Sequence, residues 1–327
     1  MNIVILGSGA WGTALALSFS GRHGVTLWGR DAHFLKTLES TRLNSRYLPK
    51  HPLPPHLVIE SHLPRALAQA ELAVVAVPVA GLRETLKLVA HQQPNLPVLW
   101  ACKGFETGSG FLPHQIVAET LPSNVSCGVL SGPSFAEEIA NGLPAAITLA
   151  SASTDFARQT SQALHGHRLR IYSSSDVVGV ELAGALKNVI AIAAGLSDGL
   201  NLGHNARAAL ITRGLAETAR LGVVVGGRIE TFMGLSGLGD LVLTCTGALS
   251  RNYRVGLALA RGESLPAILS GLGHVAEGVT SAAEAYRLAR HHEVEMPITE
   301  AVRAVLSGEL TVHKAVEQLM AREPRSE

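Results

Sequence analysis

The chain has 327 residues, of which 47% are hydrophobic and 16% charged, with a net charge of +1. Such totals exclude a disordered chain. The near-neutral balance excludes whole-chain attraction to nucleic acid or a membrane surface, so no nucleic-acid partner is expected and any anion must be caught locally. The length favours two domains over one. Cys102, Cys127 and Cys245 are odd in number and scattered, fitting neither a disulfide framework nor a zinc spacing. They point to a reducing compartment, and with no basic lead-in before the first apolar residues the expectation is a cytoplasmic protein. The strongly apolar run between Lys187 and Asp198 is about half of what a membrane span needs, so no span is expected.

Taken in order, Asn2–Leu6 reads as a buried strand, GSGAWG follows, Thr13–Ser20 reads as a helix and Val25–Trp28 as a second strand. Strand, glycine turn, helix and strand within about thirty residues is the context that makes GxGxxG a dinucleotide fingerprint. Gly7 permits the tight turn, Gly9 lets backbone approach a pyrophosphate, and Gly12 lets helix pack on strand. First-turn amides of the helix then face the phosphates. The second strand runs into Arg30 and then Asp31. An acid there suits the ribose hydroxyls of NAD, whereas a basic residue accommodates the 2′-phosphate of NADP. The order leans towards tolerating NADP and leaves the nucleotide as NAD or NADP.

Beyond a loop rich in Pro and His (Tyr47–His56), the alternation continues. Strands are expected at Leu57–Ile59, Leu72–Val77, Val98–Ala101, Cys127–Leu130, Ala146–Leu149 and Leu169–Tyr172. Helices are expected at Arg65–Gln69, Leu82–His91, Leu112–Leu121, Ser134–Ala140 and Phe156–Leu164. The reading is an α/β fold: a Rossmann-like, doubly wound, mostly parallel sheet with its ligand at the strand carboxyl ends. After Ser175 apolar helical stretches take over at 177–200, 205–222, 253–261, 279–292 and 297–306, with one ambiguous run at Leu221–Val225. A dinucleotide-binding domain over 1–178 and an all-helical domain over 179–327 are expected.

Polar residues collect where strands end. Lys103-Gly104 puts an ammonium at the sheet's carboxyl edge, and Ser131-Gly132-Pro133-Ser134 offers amides and a hydroxyl to an anion or carbonyl. Val77-Pro78-Val79 is either a plain strand exit or a wall beside the cofactor. In the helical domain, winding Val180–Leu200 gives Lys187 the face-mates Val180, Ala183, Gly184, Ile190, Ala191 and Ala194. A lone ammonium on that stripe either snorkels to solvent or is held for a purpose. The run GLSGLGDLVLTCTGALSRN is rich in glycine around Asp240, either as a flexible loop with a helix cap or as part of a site. Ser250, Arg251 and Asn252 stand just before a helix, where a guanidinium, neutral donors and the helix dipole suit a phosphate. An N-cap serine followed by a solvated arginine explains the same letters. His165 and His167, and His291 and His292, lack a ligand spacing, and no metal is inferred.

GSGAWGTALA, SGPSFAEEIA, ELAGALKNVIAIAAGLSDGL, GLSGLGDLVLTCTGALSRN and VAEGVTSA occur in this order. They closely resemble the bacterial NAD(P)-dependent sn-glycerol-3-phosphate dehydrogenase family, from the first strand to about residue 310. The resemblance implies reduction of dihydroxyacetone phosphate to sn-glycerol 3-phosphate, the glycerophospholipid precursor. It implies that Lys187 is the proton donor and acceptor, and that Lys103, Gly132, Ser134, Asp240, Ser250, Arg251 and Asn252 contact substrate. Ala10, Trp11, Arg30, Tyr47, Ala136, Val275 and Glu277 match cofactor-contacting positions, and Lys103 and Arg251 match positions reached by both ligands. Ala10 stands where many relatives carry serine, and WGRD is less basic than the corresponding pair in some relatives.

The residues agree with that chemistry. Hydride transfer to a ketone builds charge on its oxygen, which needs a proton donor and cationic or hydrogen-bonding support. Lys187, desolvated among Ala183, Gly184, Ile190 and Ala191, is expected to have a lowered pKa. Lys103 and Asp240 are expected to position the ligand oxygens and Lys187, while Ser250, Arg251 and Asn252 hold the phosphate. The rival readings are another hydroxyacid dehydrogenase of the 6-phosphogluconate type and a non-catalytic dinucleotide sensor. A homodimer is compatible with the apolar helical domain.

Overall fold

A computed structural model of the protein describes residues 1–272 and 276–323. The chain forms two compact units, one of Met1–Lys103 and Phe111–Val177, the other of Gly104–Gly110 and Val178–Glu327. The segment Gly104–Gly110, placed by the sequence reading in the first domain, thus belongs to the second unit.

The first unit begins with β1 (Asn2–Leu6), α1 (Ala10–Ser20), β2 (Gly24–Trp28) and α2 (Ala32–Thr41). Then come β3 (Leu43–Asn44), β4 (Leu48–Pro52), β5 (Val58–Glu60), α3 (Leu63–Leu67), β6 (Leu72–Val75), α4 (Val79–Gln92) and β7 (Val98–Trp100). It closes with α5 (Pro113–Thr120), β8 (Cys127–Ser131), α6 (Ala136–Ala140), β9 (Ala145–Ala150), α7 (Thr154–Leu164) and β10 (Leu169–Ser174). The sheet has eight strands in the order β10-β9-β8-β7-β6-β1-β2-β5. Central strands such as Leu72–Val75 are buried at every position, the pattern of a parallel strand covered on both faces.

Within this sheet every pairing is parallel except β8 with β9. The cause is the connection. At about 1.5 Å per residue, the five-residue α6 spans about 7.5 Å, less than the roughly 16 Å a five-residue strand covers, so it does not carry the chain back for a parallel return. Register brings Leu6 level with Trp28 and with Val75, so the residues after three strands meet at one end.

Two parts of this unit depart from expectation. Part of the Pro- and His-rich loop is β4, which pairs antiparallel with β3. The helix α2, not anticipated, is started by Asp31, whose Oδ1 accepts from Phe34 N at 2.9 Å, and it buries Leu35 and Leu38.

Among its described residues the second unit's regular elements are all helices, joined by turns and by the non-helical segment Gly104–Gly110. It contains α8 (Val177–Gly199, whose first residue belongs to the first unit), α9 (Gly203–Val224), α10 (Ile229–Met233), a π turn (Leu235–Gly239) and α11 (Asp240–Thr246). There follow α12 (Arg251–Ala260), α13 (Leu265–Leu272), α14 (Glu277–His291), α15 (Pro297–Leu306) and α16 (Val312–Met320). The ambiguous run Leu221–Val225 is the end of α9 and its C-cap. Each unit has its own core: Ile5, Leu15, Phe19, Leu27 and Val74 in the first, Ile190, Ile192, Phe232, Leu241 and Val255 in the second.

Helix α8 is the centre of the second core, with Gly179 through Ser197 buried without interruption. It is apolar all round because protein surrounds it on every side. By length and composition this helix is long enough for a membrane, more than the run after Lys187 suggested, but 83% of its most apolar window is buried inside the protein.

Candidate active site

The fingerprint loop follows from register and from close backbone approach. Gly7 has φ +125°, and a Cβ there would sit 2.8 Å from the carbonyl carbon of Ala76. A Cβ on Gly12 would sit 1.9 Å from Gly7 O, so no other residue fits either place. Gly9 is the N-cap of α1 and provides no side-chain cap, and a Cβ there would meet nothing within 4 Å. The first intrahelical bond runs from Thr13 N to Gly9 O at 2.9 Å. The amides of Ala10, Trp11 and Gly12 therefore have no intrahelical acceptor, which fits a nucleotide pyrophosphate.

Asn44, fully buried, braces the loop: its Nδ2 donates to Ser8 O at 3.0 Å and Thr13 Oγ1 at 2.7 Å. No pattern in the sequence marked this residue. Ala10 and Trp11 are partly exposed at the helix start, and Arg30 is exposed just beyond β2. Because the Asp31 carboxylate is occupied as the α2 cap, Arg30 is the more available of the two. Tyr47 is partly buried, with its ring edge-on to Phe34 at 5.6 Å and Arg46 over its face. Ala136 opens α6, and Pro78 is the N-cap of α4.

At the ends of β7 and β8 the structure unites three residues singled out from sequence. Lys103 Nζ donates to Gly132 O at 3.2 Å, and Ser134 Oγ donates to the same carbonyl at 2.9 Å. The expected helix start at Ser134 is corrected, since α6 begins two residues later with Phe135 as cap. Ser134 instead serves the turn.

In the second unit, Lys187 is neither snorkelling nor isolated. Its Nζ lies 2.5 Å from Asp240 Oδ1 and 3.0 Å from Thr244 Oγ1, with the lysine side chain 10% exposed and the aspartate 1%. The Thr244 hydroxyl donates to Asp240 O at 2.6 Å, so its oxygen is free to accept from the ammonium. Beside the apolar side chains expected around it, the ammonium thus has a carboxylate, from the residue expected to position it, and a hydroxyl that was not anticipated. Asp240 is the first residue of α11, whose N-cap is Gly239, and the glycine-rich run before it is an ordered π turn rather than a loose loop. Its carboxylate is therefore not consumed as a cap.

Of the trio before α12, Ser250 is the N-cap, its Oγ accepting from Tyr253 N at 3.2 Å. Asn252 is buried; its Nδ2 donates to Asn188 Oδ1 at 2.9 Å, and its Oδ1 accepts from Gly278 N at 3.0 Å. Arg251 is exposed in the first helical turn, so it is the member with a charge to offer outward. The expected start of this helix at 253 moves to Arg251. α12 lies against α8 backbone to backbone, since a Cβ on Gly195 would sit 2.0 Å from Tyr253 O and one on Gly256 2.0 Å from Ile192 O. That closeness puts Asn252 beside Asn188, the neighbour of Lys187. Glu277 begins α14 next to Gly278. Val275 lies outside the described residues.

Sequence reasoning missed Asn188 and Thr244. The signal for Thr244 was its i+4 spacing from Asp240, which puts both on one helix face. Among the described residues no group of three or more His, Cys, Asp or Glu could hold a metal ion.

Comparisons with known proteins identify the family. The family models for the N-terminus and C-terminus of NAD-dependent glycerol-3-phosphate dehydrogenase match residues 2–157 and 176–317. The chain is 58% identical over 327 residues to a glycerol-3-phosphate dehydrogenase [NAD(P)+] of Dechloromonas aromatica, covering 100% of this chain and 99% of that one. A protein of the same description from Thiobacillus denitrificans is also 58% identical, with 100% of both chains covered. The crystal structure of glycerol-3-phosphate dehydrogenase from Coxiella burnetii superposes with a TM-score of 0.93 at 41% identity, covering 98% of this chain and 99% of that one. The chain belongs to the NAD-dependent glycerol-3-phosphate dehydrogenase family.

Proposed function

We infer that this chain reduces dihydroxyacetone phosphate to sn-glycerol 3-phosphate, reversibly, with NADH or NADPH. The observation that carries this reading is the buried group of Lys187, Asp240 and Thr244. The bound nicotinamide supplies the hydride. As negative charge develops on the ketone oxygen, the Lys187 ammonium stabilises it and gives up a proton, and in the oxidative direction the amine takes that proton back. Asp240 and Thr244 fix where the ammonium points, so little reorganisation is needed during the reaction.

Lys103, held by the Gly132 carbonyl, is a second cation for the ligand oxygens. Arg251 and the first-turn amides of α12 receive the phosphate, and Ser250 and Asn252 shape that turn. The phosphate is remote from the reacting carbon, so its binding energy orients the substrate. Ala10, Trp11, Arg30, Tyr47, Ala136, Val275 and Glu277 are the proposed cofactor contacts. Exposed Arg30 supports accepting a 2′-phosphate as well as tolerating its absence.

The first unit is read as the dinucleotide-binding domain and the second as the substrate domain, in a cytoplasmic homodimer that supplies the glycerophospholipid backbone and spans no membrane. Steady-state oxidation of NADH and NADPH with dihydroxyacetone phosphate tests the reading. Lys187→Ala should lower kcat by roughly 10²- to 10⁴-fold, and a loss within about tenfold would remove Lys187 from proton transfer.

A further inference from the structure

A cavity lies in the first unit, away from the fingerprint. Its walls are the last turn of α1 (Leu17, Ser18), the end of α6 (Ile139) with Leu143 after it, and the two arginines Arg22 and Arg168. The cavity holds about 430 Å³. The fingerprint occupies the opposite end of α1, whose 11 residues make it about 16 Å long.

Both arginines are pinned. Arg22 Nη2 donates to Leu164 O at 2.9 Å, and Arg168 Nη1 donates to Gly142 O at 2.6 Å. Each guanidinium also lies against a glycine: a Cβ on Gly166 would come within 3.1 Å of Arg22 Nη2, and one on Gly142 within 3.4 Å of Arg168 Nη1. Capping a carbonyl is the ordinary task of such arginines. A cap uses one N–H of the five a guanidinium carries. Among the described residues neither arginine has a carboxylate partner, and each makes one hydrogen bond, to that backbone oxygen. Two preorganised cations with donors to spare therefore line one cavity, together with His167. The opposing wall is apolar, with Ile139 buried and Leu143 48% exposed.

We propose that this cavity binds a small organic anion, a carboxylate, sulfonate or phosphate monoester carrying an apolar group. The anionic end takes the unused N–H donors of Arg22 and Arg168, in the fork geometry that suits such oxygens. The apolar end covers Leu17, Ile139 and Leu143.

The test uses the full chain and 1-anilinonaphthalene-8-sulfonate, read by fluorescence. NAD⁺ and dihydroxyacetone phosphate, both oxidised and so unable to react with each other, are held at saturation to fill the active site. One saturable probe site should remain. The double variant Arg22→Gln, Arg168→Gln should weaken it about tenfold or more, as loss of charge-assisted bonds implies, with turnover unchanged. Leu143→Asp, on an exposed side chain and leaving both caps intact, should weaken it similarly. Uncharged N-phenyl-1-naphthylamine should bind at least tenfold more weakly than the sulfonate. Probe displaced entirely by the active-site ligands, or bound equally well by the double variant and by Leu143→Asp, would overturn the proposal. Neither result bears on the proposed dehydrogenase activity, which turnover reads separately.

Discussion

Asp240 and Thr244 stand one turn apart on α11 and meet Lys187 from the same side. Removing the carboxylate leaves a buried ammonium without its counter-charge, which is costly even where the shape is kept. Asp240→Asn should therefore lower kcat by roughly 10²-fold or more and also lower the denaturation midpoint, read by turnover and by urea titration. Thr244→Val keeps the volume and removes one acceptor, so a smaller loss is expected in both. Arg251 differs because it is exposed and its proposed task is at the substrate's far end. Arg251→Ala should raise KM for dihydroxyacetone phosphate by roughly 10- to 100-fold, the range of a charge-assisted contact, while leaving turnover of unphosphorylated dihydroxyacetone little changed. Equal losses on both substrates would remove the phosphate role.

At the scale of elements, α15 carries a cap lent by another helix. Glu217 on α9 is buried, and its carboxylate accepts from Ile298 N at 2.8 Å and from Thr299 N at 3.3 Å in the first turn of α15. Burial pushes its pKa up to about 7, although the backbone donors oppose the rise. The ordinary carboxyl value of 4.5 applies once the chain unfolds. Between those values the folded state holds a proton that the unfolded state has released, so stability falls as pH rises through the window and levels off above it. The fall is on the order of 3 kcal/mol. Glu217→Gln cannot ionise, so the difference in unfolding free energy between wild type and variant should change by that order between pH 4.5 and 7. A pH-independent difference would show that Glu217 keeps an ordinary pKa.

At the scale of the molecule, the two units have separate hydrophobic cores. Dinucleotide binding stabilises only what it touches: at a hundred times Kd the gain is about 2.7 kcal/mol. Calorimetry should therefore show NADH moving the transition of the sheet unit (Met1–Lys103 and Phe111–Val177) upward and the helical one much less. A single transition that shifts as a whole would show that the units unfold together. Helix Glu284 belongs to this scale too, since its carboxylate accepts from Gly108 N at 3.3 Å and so holds the segment that follows Lys103 within the helical unit.

Local chemistry was legible in the letters. GSGAWG between two apolar strands specifies a turn that only glycine allows and a helix start open to phosphate. Continuous apolar runs specify buried strands, and nineteen successive buried residues on α8 follow from a helix with no polar face. Motif resemblance carried the family as well, because SGPSF, ELAGALKN and GLGD are long and occur in order. What needed the tertiary structure were relations between residues distant in sequence. Lys187 and Asp240 are 53 positions apart, and no periodicity links them. Their pairing depends on how α11 packs on α8, and that packing turns a lysine on an apolar stripe into half of a buried ion pair. The same holds for Asn252 with Asn188 and for Asn44 under the fingerprint loop. A sequence states which groups are present and how each stretch winds. Which charge meets which is settled only when close packing and the need to satisfy every buried polar group select one arrangement.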